Sequence, residues 1–204
     1  MKMYEVNFRD MVGQVLYIDG KKMVDLLVKM NLGLDNLIGG LFFGYIDHTH
    51  GFMLEVLALI TKQGKKEVYN VLKNDISFKI ARLDVQKMEV RILKNVNMDV
   101  FKDKIDKIIV ETQVDETIKN LRAYEVLDSS RHSEFPDDVM VYFLEEGKDP
   151  EACWVRLEGM RDGKMVGTLL TASKQDFGVK VNDTLSFGLT DMEDGKSACV
   201  WVKS

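Results

Sequence analysis

Two Asp-Gly pairs in the last third of the chain set the narrowest condition on how it folds. At Asp162-Gly163 and Asp194-Gly195 the backbone readily takes the positive φ values of a tight hairpin, and each pair sits between short runs of β-formers. Cys153 to Leu157 leads into the first turn and Met165 to Leu170 leaves it. Asp183 to Phe187 precedes the second turn, and Ala198 to Val202 returns from it. Four or five strands this short predict a small antiparallel β meander or partly open barrel between Pro150 and Ser204.

The same stretch carries Trp154-Val155, Asp162-Gly163, Gly167-Thr168-Leu169 and the run from Gly178 to Phe187, in that order. This succession resembles the YegJ-like domain, a bacterial domain of unknown function, over the last quarter of the chain. The resemblance implies a bacterial protein and a fold for that quarter, and no established activity.

Upstream, the hydrophobic period changes several times. Met3 to Asn7 reads as a short strand, and the apolar run Val12 to Ile18 fits a strand or a buried helix equally. Met23, Leu26, Leu27 and Met30 fall on one helix face. Leu32 to Gly44 interleaves four glycines with Leu, Ile and Phe, which predicts a turning backbone or a close approach to another segment. Its glycines lack the offsets and the following Lys of a phosphate-binding loop. Phe52 to Ile60 reads as a buried strand, Lys65 to Lys73 as an exposed strand or short helix, and Ile76 to Ile80 and Met88 to Leu93 as half-buried strands. From Met98 the period turns helical, and a further helix spans Val114 to Leu127. The chain is therefore read as α+β, with an N-terminal α+β domain at 1–130 and a small β domain at 131–204. Ser129 to Ser133 reads as the linker, and an acidic connector, 134–149, enters the second domain.

Hydrophobic residues at 46% suffice for a core, and 30% charged residues cover it. No apolar run reaches membrane-spanning length, and Met1 to Asp10 carries charges where a signal peptide needs an apolar core. The expectation is a cytoplasmic protein with no membrane association. A net charge of −5 argues against nucleic acid as a partner. That charge is concentrated: Glu134, Asp137, Asp138, Glu145, Glu146 and Asp149 face Lys148 alone. The stretch reads as a solvated connector or as a docking surface for a basic protein partner through Asp137, Asp138, Glu145 and Glu146. Nothing bears on oligomeric state.

Three groups have residue types that carry chemistry. His48 and His50 share a face if extended and form a candidate metal pair, the other reading being a polar turn between two apolar strands. Asp128, Ser129, Ser130 and His132 contain the types of a serine triad, but as neighbours in sequence and not as convergent elements. Trp154, Phe177, Phe187 and Trp201 fill a small barrel or offer rings to a ligand, with Trp154 the candidate binding residue. Cys153 and Cys199 read as buried small hydrophobes, with a redox pair as the alternative. No motif calls for a cofactor. The favoured function is a non-enzymatic protein-interaction module, immunity-type proteins included; the alternative is a metal-dependent enzyme using His48 and His50.

Overall fold

The computed structural model describes residues 1–192 and 195–203, so Asp194 of the second Asp-Gly pair lies outside the described residues. The protein is α+β, with an open curled antiparallel sheet in its N-terminal part and a closed five-stranded barrel in its C-terminal part. It divides into two compact units, Met1–Gln113 and Val114–Ser204. Among the described residues, no helix is long and apolar enough to cross a membrane.

The first unit contains α1 (Phe8–Met11), β1 (Val15–Asp19), α2 (Lys21–Lys29), β2 (Leu37–Asp47), β3 (Gly51–Gln63), β4 (Lys66–Val71), β5 (Lys79–Ala81), α3 (Arg82–Val85), β6 (Arg91–Leu93) and α4 (Lys102–Glu111). The sheet runs β4-β3-β2-β1-β6, with β5 also on β3. Both faces are covered. Leu16 and Ile18 join Met23 and Leu27 of α2 in one core, while Val15 and Tyr17 join Phe101, Ile105 and Ile108 in the other. A strand buried on both faces loses its polar alternation, which is why periodicity leaves Val12 to Ile18 undecided.

The glycine-rich segment is corrected: most of it is strand β2, not a turn. The expected close approach is present, because a Cβ on Gly39 would collide with the Ile18 carbonyl oxygen and one on Gly44 with that of Met11. Met3–Glu5 is a 3-10 turn and not a strand, and Ile76 to Ile80 contributes only the start of β5.

Glu55 is fully buried on the face that α4 covers. Its carboxylate accepts from Ser77 Oγ at 2.8 Å and from the Phe78 N–H at 3.1 Å, and Lys104 Nζ of α4 stands 3.6 Å away. Lys104 Nζ also donates to the Ile76 carbonyl at 2.6 Å. The pair thus holds the segment between β4 and β5 against the sheet, and every hydrogen bond it makes offsets part of the cost of burying two charges. The hydroxyl of Tyr45, itself 4% exposed, has no hydrogen-bond partner among the described residues.

The second unit begins with α5 (Glu116–Ala123), whose N-cap Asp115 accepts from the Ile118 N–H at 2.9 Å. Then come β7 (Asp138–Leu144), β8 (Glu151–Arg161), β9 (Lys164–Leu169), β10 (Thr184–Asp191) and β11 (Ser197–Val202). The strands pair in chain order, antiparallel, and a parallel pairing of β11 with β7 closes the barrel. Phe143, Phe177 and Phe187 fill it together with Val141, Val155 and Leu185. Ile118, Leu121 and Leu127 belong to the same core, so the helix that the sequence groups with the N-terminal part is built into the barrel unit. Ser129 to Ser133 is not an exposed tether: Ser130 is buried, and the Arg131 guanidinium donates to the carbonyls of Leu121 and Pro136.

Because the barrel core includes α5, the fragment 114–204 should melt cooperatively on its own, whereas 131–204, lacking Ile118, Leu121 and Leu127, should not. Circular-dichroism melts of both fragments check this. A second expectation concerns Tyr45. Burial first, then the charges of Glu55, Asp47 and Glu111, push its phenol above the ordinary value. The folded state thus favours the neutral phenol, so its contribution is full below pH about 10 and is lost as pH rises further. Tyr45→Phe should leave stability at pH 7 unchanged or raise it by about 1 kcal/mol, since it deletes an unsatisfied buried hydroxyl. It should also flatten the alkaline loss in urea titrations at pH 8 and pH 10.5.

Candidate binding groove on the barrel

A bulge in β8 shapes one side of an apolar groove on the barrel unit. Leu157 pairs with Gly167 and Gly159 with Val166, so Glu158 is the extra residue. Gly159 has φ +149°, a conformation that side chains rarely adopt. Thr117 of α5 lies against it, with Cγ2 3.9 Å from where a Cβ would stand. The bulge bends the β8–β9 hairpin, which turns through Asp162 and Gly163 at φ +50° and +76°.

Strand β10 changes partners at this place. Thr184 to Phe187 pair with β9, and Gly188 to Asp191 pair with β11. Between the hairpin, α5 and β10 lies a groove of about 550 Å³, lined by Thr117, Asn120, Leu121, Tyr124, Met160, Met165 and Leu189, with Gly163 and Gly188 leaving room. A Cβ on Gly188 would meet no atom within 4 Å. The lining is mainly apolar, and Thr117 and Asn120 supply its polar groups. It contains no carboxylate, imidazole or thiol.

The residues singled out in the sequence lie elsewhere. Asp137 is 2% exposed and binds the Arg122 guanidinium through two hydrogen bonds, at 2.8 and 2.6 Å. Asp138 does the same with Arg156, at 2.8 and 3.1 Å. Glu145 pairs with Lys148 at 2.8 Å and Lys203 at 3.1 Å, and these partners hold its carboxyl below the usual range. Glu134 is buried too, and of the four acids proposed for docking only Glu146 is exposed. Much of the stretch is therefore knitted into the barrel and its surface ion pairs. Trp154 is half-buried, stacked edge-on against His132 with ring centres 5.0 Å apart. Trp201 is half-buried beside Phe143, so Phe rings and not Trp rings fill the centre.

His48 and His50 sit in the turn joining β2 to β3. Asp47 Oδ1 accepts from the N–H groups of Thr49 and His50 at 2.9 and 2.8 Å and meets His50 Nδ1 at 3.0 Å. The backbone bonds, with the ring contact, draw the Asp47 carboxyl below its ordinary value against the opposing effect of burial. Among the described residues, no three His, Cys, Asp or Glu groups converge as a metal site would require. Nor do Asp128, Ser129, Ser130 and His132 form a triad. Asp128 pairs with Arg131, Ser129 Oγ donates to the Ser197 carbonyl, and His132 Nδ1 accepts from the Glu134 N–H.

Cys199 and Cys153 are free and buried. They lie opposite Val141 on its two sides, which sets them about 9 to 10 Å apart by strand spacing, beyond disulfide reach. Burial pushes the Cys199 thiol up to about 11, so it stays protonated and inert near neutrality.

The groove itself was not visible in the sequence, because its walls come from a helix, a hairpin tip and a strand that no shared period connects. Gly159 and Gly188 were its available signals, each a glycine inside a strand pattern. No family model matches the chain, and neither a curated protein nor a solved structure matches it.

The ion pairs lead to a direct expectation. Asp137→Asn removes one partner of a pair whose side chains are only 3% (Asp137) and 16% (Arg122) exposed, and should cost about 3 kcal/mol. Glu146→Gln should change stability by less than about 0.5 kcal/mol. Urea unfolding of the two variants measures both.

Proposed function

We propose that this protein is a non-enzymatic protein-interaction module, and that the groove beside α5 receives apolar side chains of its partner. The observation that carries this reading is the groove's composition: Met160, Met165, Leu189 and Tyr124 present adaptable apolar surface on a unit otherwise rich in charge. Tyr124, Met160 and Leu189 remain 58%, 47% and 38% exposed. Solvating such side chains is unfavourable, and their grouping around one concavity supports contact with another chain. The lining has no carboxylate, imidazole or thiol, the groups that most often serve as general base or metal ligand. The proposal extends to a bacterial, cytoplasmic setting, in keeping with the resemblance of the last quarter to the YegJ-like domain. The acidic stretch then serves mainly to brace the barrel, with Glu146 left for long-range attraction of a basic partner.

Leu189→Asn tests the reading. Leu189 lines the groove and is 38% exposed, so the amide should make the groove polar without opening the barrel core. The full-length protein used as bait in an extract of its own cells should retain a partner that the Asn variant loses, with identical circular-dichroism melts. Retention of the same proteins by both baits would overturn the proposal.

A further inference from the structure

Resting on the reading of the groove as a protein-binding site, we propose its mode of recognition: an extended peptide adds as a strand to the β9-side edge of Gly188–Asp191, antiparallel to β10. The hydrogen-bond parity of β10 supports this. The Leu169 N–H donates to the Asp183 carbonyl at 2.9 Å, and Asp183 stands directly before Thr184, which pairs with Thr168. The Met192 N–H donates to the Lys196 carbonyl at 2.7 Å. In an antiparallel ladder successive residues alternate sides. Odd-numbered residues of β10 therefore aim their N–H and C=O toward β9, and even-numbered ones toward β11.

Beyond Phe187, however, β9 has turned away into its hairpin, where Lys164 pairs with Arg161. Leu189 and Asp191 thus present N–H and C=O groups to a side on which, among the described residues, no strand is paired. The groove lies along that side. An open edge beside an apolar concavity is the geometry of strand addition, in which the main chain gives affinity and alternate side chains give selectivity.

Register and charge fix the chemistry of the occupant. A peptide residue directly opposite Leu189 shares its face, so its side chain enters the groove while its own N–H and C=O meet those of Leu189. The next residue points outward, and the one opposite Asp191 points inward again. An antiparallel peptide continues the direction of β9, so its N-terminal end lies by Asp191 and its C-terminal end by the hairpin tip. Asp191 is exposed and acidic; the tip carries exposed Arg161 and Lys164 about Asp162. The complementary ligand is therefore a short extended segment with an apolar residue opposite Leu189, a basic N-terminal flank beside Asp191 and a carboxylate at its C-terminal end.

The probe is the labelled hexapeptide Lys-Lys-Leu-Thr-Leu-Glu, titrated into the full-length protein by fluorescence anisotropy. It should bind at least about tenfold tighter than the charge-reversed Glu-Glu-Leu-Thr-Leu-Lys. N-methylation of the two leucines removes the donors facing β10 and should weaken binding about tenfold or more, two hydrogen bonds being lost. N-methylation of the threonine, whose N–H faces away, should change it less than about threefold. Leu189→Asn, which removes the apolar contact inside the groove, should weaken binding at least about tenfold with the fold intact. Equal effects of both methylation patterns would overturn strand addition while leaving the groove as a binding site. Failure of every peptide to bind, charge-reversed one included, would overturn both proposals. Self-association that Leu189→Asn weakens would assign the edge to a second copy of this chain and overturn the peptide ligand.

Discussion

The β8 bulge at Glu158 and Gly159 is the constraint around which the groove on the barrel is arranged. A five-stranded barrel of this size can fill its interior with side chains and so conceal every strand edge. Here one extra residue bends the β8–β9 hairpin off the cylinder. Strand β10 pairs with β9 over Thr184–Phe187 and with β11 over Gly188–Asp191, so the barrel closes with a short edge left without a β9 partner. Only glycine accepts the φ of +149° at this bend without strain. Thr117 of α5 packs against the same residue, so the bend and the helix contact meet at one wall of the groove.

Charge in this protein is used mainly for bracing. Arg122 and Asp137 tie α5 to the entry of β7, and Arg156 and Asp138 tie β8 to the same entry. Each is a two-point guanidinium–carboxylate contact, which fixes orientation as well as distance. In the N-terminal unit Glu55 and Lys104 play a comparable part, with the added feature that Lys104 donates to the Ile76 carbonyl in the β4–β5 connection. Such pairs are weak sources of net stability against an apolar alternative, but strict ones: removing one partner strands the other.

How much of this could be read from the residues depended on whether the signal was local. The α2 face, the Asp-Gly hairpin and the strand content of the last third all rest on neighbours in sequence, and the structure has them. Where an element depends on what covers it, the reading fails or stays open. Val12 to Ile18 is ambiguous because helices lie on both faces of its sheet, and β2 hides among glycines whose purpose is to admit the Ile18 and Met11 backbones. The acids at 134–149 look like a solvated run because their partners, Arg122, Arg156 and Lys203, lie outside that run. Burial of a charge is a property of the pair, and a linear count sees one member at a time.

The groove shows the same limit from the functional side. Leu121, Met160, Met165 and Leu189 would each pass for core in a period analysis, and two of them, Leu121 and Met165, are. What separates Met160 and Leu189 is position: Met160 lies past the bulge near the tip of the β8–β9 hairpin, and Leu189 lies past the last residue of β10 that pairs with β9. An apolar residue continuing the inward face of a strand after its neighbour has departed has no interior left to enter. Leu189 is in that position, two residues after Phe187, which is 1% exposed, and itself 38% exposed. Its side chain and its unpaired main chain face the same opening. A partner that covers one can therefore satisfy the other, which makes a strand a better fit to this edge than a compact apolar ligand.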